Sequence, residues 1–401
     1  MPPTRKESND AKDSTSPAAL AAANRVVATP RTIRRIAVST SGGDAPGLNA
    51  VIRGVTKAAI QKYRWEVTGI LNGLEGLIDT RRIMPLGIEQ VRGIMQKGGT
   101  ILGADSSGYP FNRRVIRNGE AVDLDVRNLI KQNFHYLGLD ALVCIGGEGT
   151  MAIAHELSEL GIPVVGVPKT IDNDLAGTDY TFGFRTAVQN AMEACDRLHD
   201  TAASHHRVMI LEVMGRYAGW IALNTGISGD ADIILIPEIP FDLNEVNDAI
   251  IRRQRRGKDF SIIVVAEGAH EAGGSHIVAE KAAERQSDMD RLGGVGGWLA
   301  RKISEGTGMQ CRSTVLGHIQ RGGSPTASDR QLATFFGIHA VELIAAGQFD
   351  RITVLNGTTI TDVPMDSVIR QYKQVDPQGQ AVMFAERLGI NFGRPNQEVE
   401  L

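Results

Sequence analysis

Pro168-Lys169-Thr170-Ile171-Asp172-Asn173-Asp174 is the stretch on which the reading of this chain turns. It follows Ile162-Pro163-Val164-Val165-Gly166-Val167, an apolar run whose length and β-branching predict a buried strand. The polar segment then falls at a strand's carboxyl end, where open α/β sheets bind their ligands. Lys169 offers a cation, Thr170 a hydroxyl, and Asp172 and Asp174 two carboxylates. In extended backbone, residues two apart point to the same side, so both carboxylates are expected to face one ligand. One can accept a proton while the other holds a metal ion, the division that phosphoryl transfer uses. The same residues would also suit an Asx-rich turn that merely closes a strand, and the flanking sequence has to decide.

Working outward, the same rhythm repeats on both sides. Residues 33–39 read as a strand, followed by Thr40-Ser41-Gly42-Gly43-Asp44-Ala45-Pro46-Gly47 and then by Leu48, Val51, Ile52, Val55 and Ala59 at helical spacing. A glycine turn between strand and helix aims backbone N–H groups and the positive helix end at an anion. The turn lacks the Lys-Ser or Lys-Thr of a Walker loop. A strand near 65–70 and a helix over 88–96 lead to a second glycine loop, Gly98-Gly99-Thr100-Ile101-Leu102-Gly103. Residues 104–114 are polar and irregular and suit a lid. Ala141-Leu142-Val143-Cys144-Ile145 is a buried strand that ends in Gly146-Gly147-Glu148-Gly149-Thr150, the third such turn. A second βα series carries Arg207 and Val208–Val213, Met214-Gly215-Arg216, a strand ending before Glu267, and Arg312 before Gly317-His318-Ile319-Gln320-Arg321-Gly322-Gly323. Arg207, Arg216, Arg312, His318 and Arg321 are thus expected around strand ends, where guanidinium forks suit phosphate.

Composition narrows the class. At 401 residues the chain exceeds one ordinary core, so two domains are expected, preceded by a disordered tail over 1–32. A net charge of −3 gives no reason to expect nucleic acid or an anionic membrane as partner. No apolar run has the length of a membrane span. Three widely spaced cysteines in apolar or helical sequence suit buried thiols of a reducing cytoplasm.

Taken together, Ser41–Gly47, Gly146–Thr150, Pro168–Asp174, Met214–Arg216 and Gly317–Gly323 resemble bacterial-type 6-phosphofructokinases in collinear order, over about residues 33–350. The resemblance implies an α/β phosphofructokinase fold of two three-layer domains with the active site between them. The expected nucleotide-binding domain spans 33–183 plus about 320–372, and the sugar-phosphate domain 184–319 plus about 373–401. It implies transfer of a phosphoryl group from ATP to the 1-hydroxyl of fructose 6-phosphate, with Mg2+, in a cytoplasmic homodimer or homotetramer. By the same resemblance Asp172 is the base, with Thr170 beside it and Arg216 facing the transferred group, while Glu148 and Asp174 hold magnesium. Met214, Gly215, Glu267, His318 and Arg321 contact the sugar phosphate, and Arg207 and Arg312 reach it from a neighbouring subunit. Gly42, Gly43, Gly147, Gly149 and Thr150 contact the nucleotide.

Donor choice rests on Gly149 and Lys169. Pyrophosphate-using relatives usually carry Asp and Lys at these places; Gly149 leaves room for a nucleotide, and ATP is expected with pyrophosphate as the alternative. Two departures stand out: Glu148 where the ATP enzymes usually have Asp, and Asp105-Ser106-Ser107 where an arginine usually touches the donor phosphates. Arg113 or Arg114 is a possible replacement through lid closure. The bacterial effector site is only partly matched, with His199 replacing an arginine. Two remoter readings are a sugar-phosphate sensor without catalysis and an NAD-dependent oxidoreductase. The second rests on Gly147–Ala152, which fits G-x-G-x-x-A but lacks the acidic ribose ligand about twenty residues on.

Overall fold

The computed structural model describes residues 32–105, 109–117, 120–280 and 291–395, so the expected tail lies almost entirely outside the described residues. In chain order its strands are β1 (Arg35–Thr40), β2 (Glu66–Ile70), β3 (Ile83–Pro85), β4 (Asn112–Arg117), β5 (Glu120–Asp125), β6 (Ala141–Gly146), β7 (Val164–Thr170) and β8 (Phe182–Gly183). They continue with β9 (Val208–Val213), β10 (Ile233–Leu235), β11 (Ser261–Ala266), β12 (Val278–Glu280), β13 (Arg291–Leu292), β14 (Cys311–Val315), β15 (Arg351–Asn356) and β16 (Thr359–Pro364). Eight form one sheet in the order β16-β15-β7-β6-β1-β2-β3, with β8 paired to β7. Its interior is parallel, and the antiparallel strands β3 and β16 lie at its edges. A second, parallel sheet has the order β10-β11-β9-β14.

Parallel strands covered on both faces read as unbroken apolar runs, which is why β6, β7 and β9 were legible. Alternate residues serve opposite faces. In the first sheet Val143, Ile145, Val165 and Val167 pack with Val51, Val55 and Phe336 on one side. Leu142, Cys144 and Val164 pack with Phe134, Met151 and Leu157 on the other. Full burial of a side chain such as Phe336 or Leu157 contributes about 1.5–3 kcal/mol. The second sheet is likewise covered on both faces, by Ile221, Val382 and Phe392 among others on one and by Val246, Leu299 and Ile303 on the other. Residues from Ile33 onward cluster as one compact unit.

Two helices that flank the first glycine turn touch through glycines. A Cβ at Gly54 would stand 2.7 Å from the Thr334 carbonyl oxygen, and one at Gly337 2.7 Å from that of Val51. Helices Leu48–Ala58 and Ala327–Ala345 therefore meet backbone to backbone. Alanine at either glycine would push them apart and move the turn that precedes Leu48.

Three expectations change. No helix forms over 88–96; the segment is a series of turns, and Gly93 at φ 69° leaves helical space there. The segment expected to be irregular over 104–114 runs from Asn112 into the antiparallel pair β4–β5, and 106–108 lie outside the described residues. The third glycine turn is not a turn throughout: helix Glu148–Glu159 begins inside it, so Glu148, Gly149 and Thr150 are its first residues. Cys144, Cys195 and Cys311 are buried and free, as expected. Among the described residues no helix is long and apolar enough to cross a membrane.

Candidate active site

β7 runs through Thr170, so Lys169 and Thr170 belong to the strand and only Ile171–Asp174 form the turn. The turn is not extended: Asn173 takes φ 53°, a left-handed conformation that Asn tolerates better than most residues. Extended spacing therefore does not align Asp172 with Asp174, and a different device brings the carboxylates together. The Thr170 hydroxyl donates to Asp174 Oδ1 at 3.1 Å and accepts the Asp172 N–H at 3.1 Å. Asn173 Oδ1 accepts the Thr181 N–H at 3.0 Å, and Thr181 Oγ1 donates to the Thr170 carbonyl at 2.7 Å. Sequence reasoning gave Asn173 no part, yet it fixes the turn.

The electrostatics show what faces this turn. Burial, reinforced by the Asp174 carboxylate, pushes Asp172 up to about 7, with Arg321 and Lys169 pulling the other way and Glu267 adding to the rise. Burial also raises Asp174, against its hydrogen bond from Thr170. Lys169 is pushed down to about 8 by burial and then by Arg321. Glu267 and Arg321 come from the second sheet's strand ends, whereas Asp172 and Lys169 come from the first. The site is a cleft between the two sheets.

Its second wall is one connected assembly. Glu267 N–H donates to the Val213 carbonyl at 2.9 Å, and Gly268 N–H to that of Gly215 at 3.1 Å. A Cβ at Gly268 would stand 2.1 Å from the Arg216 carbonyl oxygen, so this position must be glycine for the Met214–Arg216 turn to approach. Met214 N–H donates to the buried Gln320 Oε1 at 2.7 Å, which ties that turn to the His318–Arg321 segment. Gln320, like Asn173, has a structural part that the sequence reading missed. His318 is exposed.

The first wall carries the glycine turns. The place of a Cβ at Gly43 lies 1.8 Å from an Arg321 Nη, and that at Gly42 lies 3.4 Å from Lys169 Nζ. Both cations therefore rest against the first glycine turn. Thr150 fills the space beside Gly146, and Gly147 lies near the Lys169 carbonyl. A Cβ at Gly149 would meet nothing within 4 Å. Arg113 is ion-paired with Glu75, which ties β4 to the short helix Glu75–Ile78. Nothing is described for the side chain of Arg114 or for Ser106 and Ser107.

Not all five expected cations converge. Arg207 precedes β9 and Arg312 pairs in register with Met209, at the amino ends of their strands. Arg216, His318 and Arg321 follow the carboxyl ends, and a six-residue strand such as β9 separates the two by roughly 20 Å. Arg207 Nε donates to Gln310 Oε1 at 3.1 Å, and Arg312 donates to the Cys311 carbonyl at 2.8 Å. Within one chain these two arginines do not reach the cleft.

No group of three or more His, Cys, Asp or Glu forms a metal cage among the described residues. Magnesium is commonly held by one or two carboxylates with substrate phosphates supplying the rest. Glu148 and Asp174 fit that donor set, since the Tyr372 phenol lies within electrostatic reach of both. Among the described residues, Asp172 Oδ1, Gln320 Nε2 and Arg321 Nε are shielded from solvent without a partner. Such atoms are costly unless something bonds them.

A cleft between two α/β layers, with paired carboxylates, cations on both walls and glycine turns at strand ends, defines a phosphoryl-transfer type of protein. Residues 35–344 match the family model described as phosphofructokinase. The chain is 48% identical to ATP-dependent 6-phosphofructokinase 2 of Clostridium perfringens, over 90% of this chain and 98% of that protein. It is 46% identical to the pyrophosphate–fructose 6-phosphate 1-phosphotransferase of Streptomyces coelicolor, over 90% of this chain and all of that protein. Among solved structures, phosphofructokinase from Saccharomyces cerevisiae matches with a TM-score of 0.69 and 31% identity, covering 84% of this chain and 45% of that one. The chain belongs to the phosphofructokinase family.

Proposed function

We propose that this chain transfers the γ-phosphoryl group of ATP to the 1-hydroxyl of fructose 6-phosphate, as a cytoplasmic homo-oligomer. The observation that carries this reading is Asp172. Its Oδ1 is buried without a partner, and it faces Lys169 from its own sheet and Arg321 and Glu267 from the other. A carboxylate held above its usual range between cations accepts a proton as a hydroxyl beside it attacks. Thr170 fixes Asp174 and the Asp172 backbone, so the two carboxylates keep separate tasks. Arg216 lies on the opposite wall, where it would stabilise charge on the transferred group. Glu148 and Asp174 would hold magnesium, which when bound neutralises charge building on the donor phosphates.

Residues 33–183 with about 320–372 would carry the donor, and 184–319 with about 373–401 the sugar phosphate. Gly42, Gly43, Gly147, Gly149 and Thr150 line the donor side. Met214, Gly215, Arg216, Glu267, His318 and Arg321 line the acceptor side. A coupled assay with fructose 6-phosphate, run with ATP, with pyrophosphate and with neither, tests the reading. Activity with ATP is expected, and a preference for pyrophosphate would overturn the donor.

Two further outcomes are expected. Because Asp172 must be ionised to act and is raised to about 7 in the free chain, kcat/KM should fall as pH drops through that region. An acid limb near pH 4, where an ordinary aspartate titrates, would show that no raised base is needed. Arg207 and Arg312 would complete the acceptor site of a neighbouring subunit. Mixing inactive Arg207→Ala and Asp172→Ser chains should then restore activity in hybrid sites. Full activity from a monomer in a sedimentation experiment would refute the shared site.

A further inference from the structure

The segment Arg370–Val375 crosses the cleft like a strap. Arg370 N–H donates to Glu148 Oε1 at 2.8 Å, and Lys373 N–H to the Asp174 carbonyl at 2.7 Å. The Tyr372 phenol lies within electrostatic reach of Glu148 and Asp174. The Tyr372 ring packs on Tyr217, with centroids 4.8 Å apart, directly beside Arg216. Tyr372 also bridges Leu175, the residue after Asp174. On the second wall Trp220 Nε1 donates to the Lys373 carbonyl at 2.8 Å, Gln374 Nε2 to that of Tyr217 at 2.9 Å, and Val375 N–H to Glu238 at 2.8 Å. The strap therefore touches the third glycine turn, the carboxylate turn and the Arg216 turn at once.

Two features of the strap exceed what a fastening needs. Arg370 takes φ 58°, a left-handed conformation unusual for a long side chain, and such strain gathers at functional sites. Its side chain is exposed, and it forms no ion pair among the described residues, although its own amide is bonded to Glu148. Its backbone stands at the side chain of Glu148, the first residue of helix Glu148–Glu159 and the neighbour of Gly149, whose Cβ position is open. Tyr372 is 43% exposed, and so remains within reach of a ligand in the cleft. The Arg370 N–H on one oxygen of Glu148 leaves fewer orientations open to that carboxylate, and a phenol beside it is a donor for the other oxygen.

We propose that the strap is part of the donor site, with Arg370 binding a donor phosphate and Tyr372 positioning Glu148 toward a divalent cation. This rests on the reading of Glu148 and Asp174 as the magnesium carboxylates. The test is calorimetry on the full chain, titrating magnesium-ATP, magnesium-pyrophosphate and fructose 6-phosphate separately. Arg370→Ala should weaken donor binding about 10-fold or more, the scale of a lost charge-assisted hydrogen bond, and leave fructose 6-phosphate binding unchanged. Arg370→Lys should recover part of the loss. Tyr372→Phe should raise the magnesium concentration for half-maximal donor binding several-fold while leaving affinity at saturating magnesium intact. Donor affinity within twofold of wild type in Arg370→Ala overturns the phosphate contact, and an unmoved magnesium midpoint in Tyr372→Phe overturns the positioning. Equal losses of donor and sugar binding in either folded variant overturn both, because they would show a fastening only. If the wild type binds pyrophosphate and not ATP, the choice of donor fails instead, and the same variants judge the strap with pyrophosphate.

Discussion

Asp172→Asn is expected to lower turnover by about 10²–10⁴-fold, the range that positioned general bases contribute, with little change in the KM for fructose 6-phosphate. The amide keeps the shape of the carboxylate and its reach. It also spares the burial of a charge that the ligand-free chain holds with one oxygen unpartnered, so the variant should fold at least as well as the parent. What it cannot do is accept the proton that leaves the hydroxyl as phosphorus is attacked. An interaction made only in the transition state lowers kcat and kcat/KM together. Asp174→Asn should behave differently: it accepts the Thr170 hydroxyl but would bind magnesium less well, so its defect should depend on magnesium concentration. Initial rates across both substrates and magnesium separate the two. A folded Asp172→Asn enzyme that keeps more than a tenth of parental turnover would remove Asp172 from the role of base.

What the sequence disclosed about this site follows from the range over which each signal acts. The strands β6, β7 and β9 and the turns at their ends are local, because a buried parallel strand is a short apolar run and a glycine or Asx turn follows it directly. Gly43 against Arg321 and Gly268 against the Arg216 carbonyl show why glycines stand at these places. The first contact joins the two sheets and the second joins neighbouring strands of one sheet, and no local pattern announces either. Arg207 and Arg216 look equivalent in the sequence, since each flanks β9; strand direction alone puts them at opposite ends. The turns over 88–96 misled because their apolar spacing suits a helix, while Gly93 sits in a left-handed conformation within them. The strap escaped notice for a third reason. Arg370 meets Glu148 across 222 residues through its backbone amide, and a backbone donor leaves no mark in the amino-acid sequence.

Gly149→Asp is expected to weaken use of ATP on the order of 10²–10³-fold without harming the fold. A Cβ at this position meets no atom within 4 Å, so the side chain has space in the ligand-free chain. Gly149 is also in the first turn of helix Glu148–Glu159. Replacing a helical glycine removes backbone freedom from the unfolded chain, and an aspartate there complements the positive end of the helix. Thermal stability should therefore hold or rise. The same open space is where a nucleotide's phosphates would lie, and a carboxylate placed against them repels. Two unit charges 4 Å apart interact by about 4 kcal/mol at the effective dielectric of a protein surface, which sets the size of the expected loss. Pyrophosphate lacks the α-phosphate and the nucleoside, so its use should fall less, and the ratio of the two activities should shift toward pyrophosphate. Rates with both donors, measured beside the melting temperature, decide the matter. Equal loss with both donors, or a large fall in melting temperature, would mean that Gly149 serves the backbone and not the choice of donor.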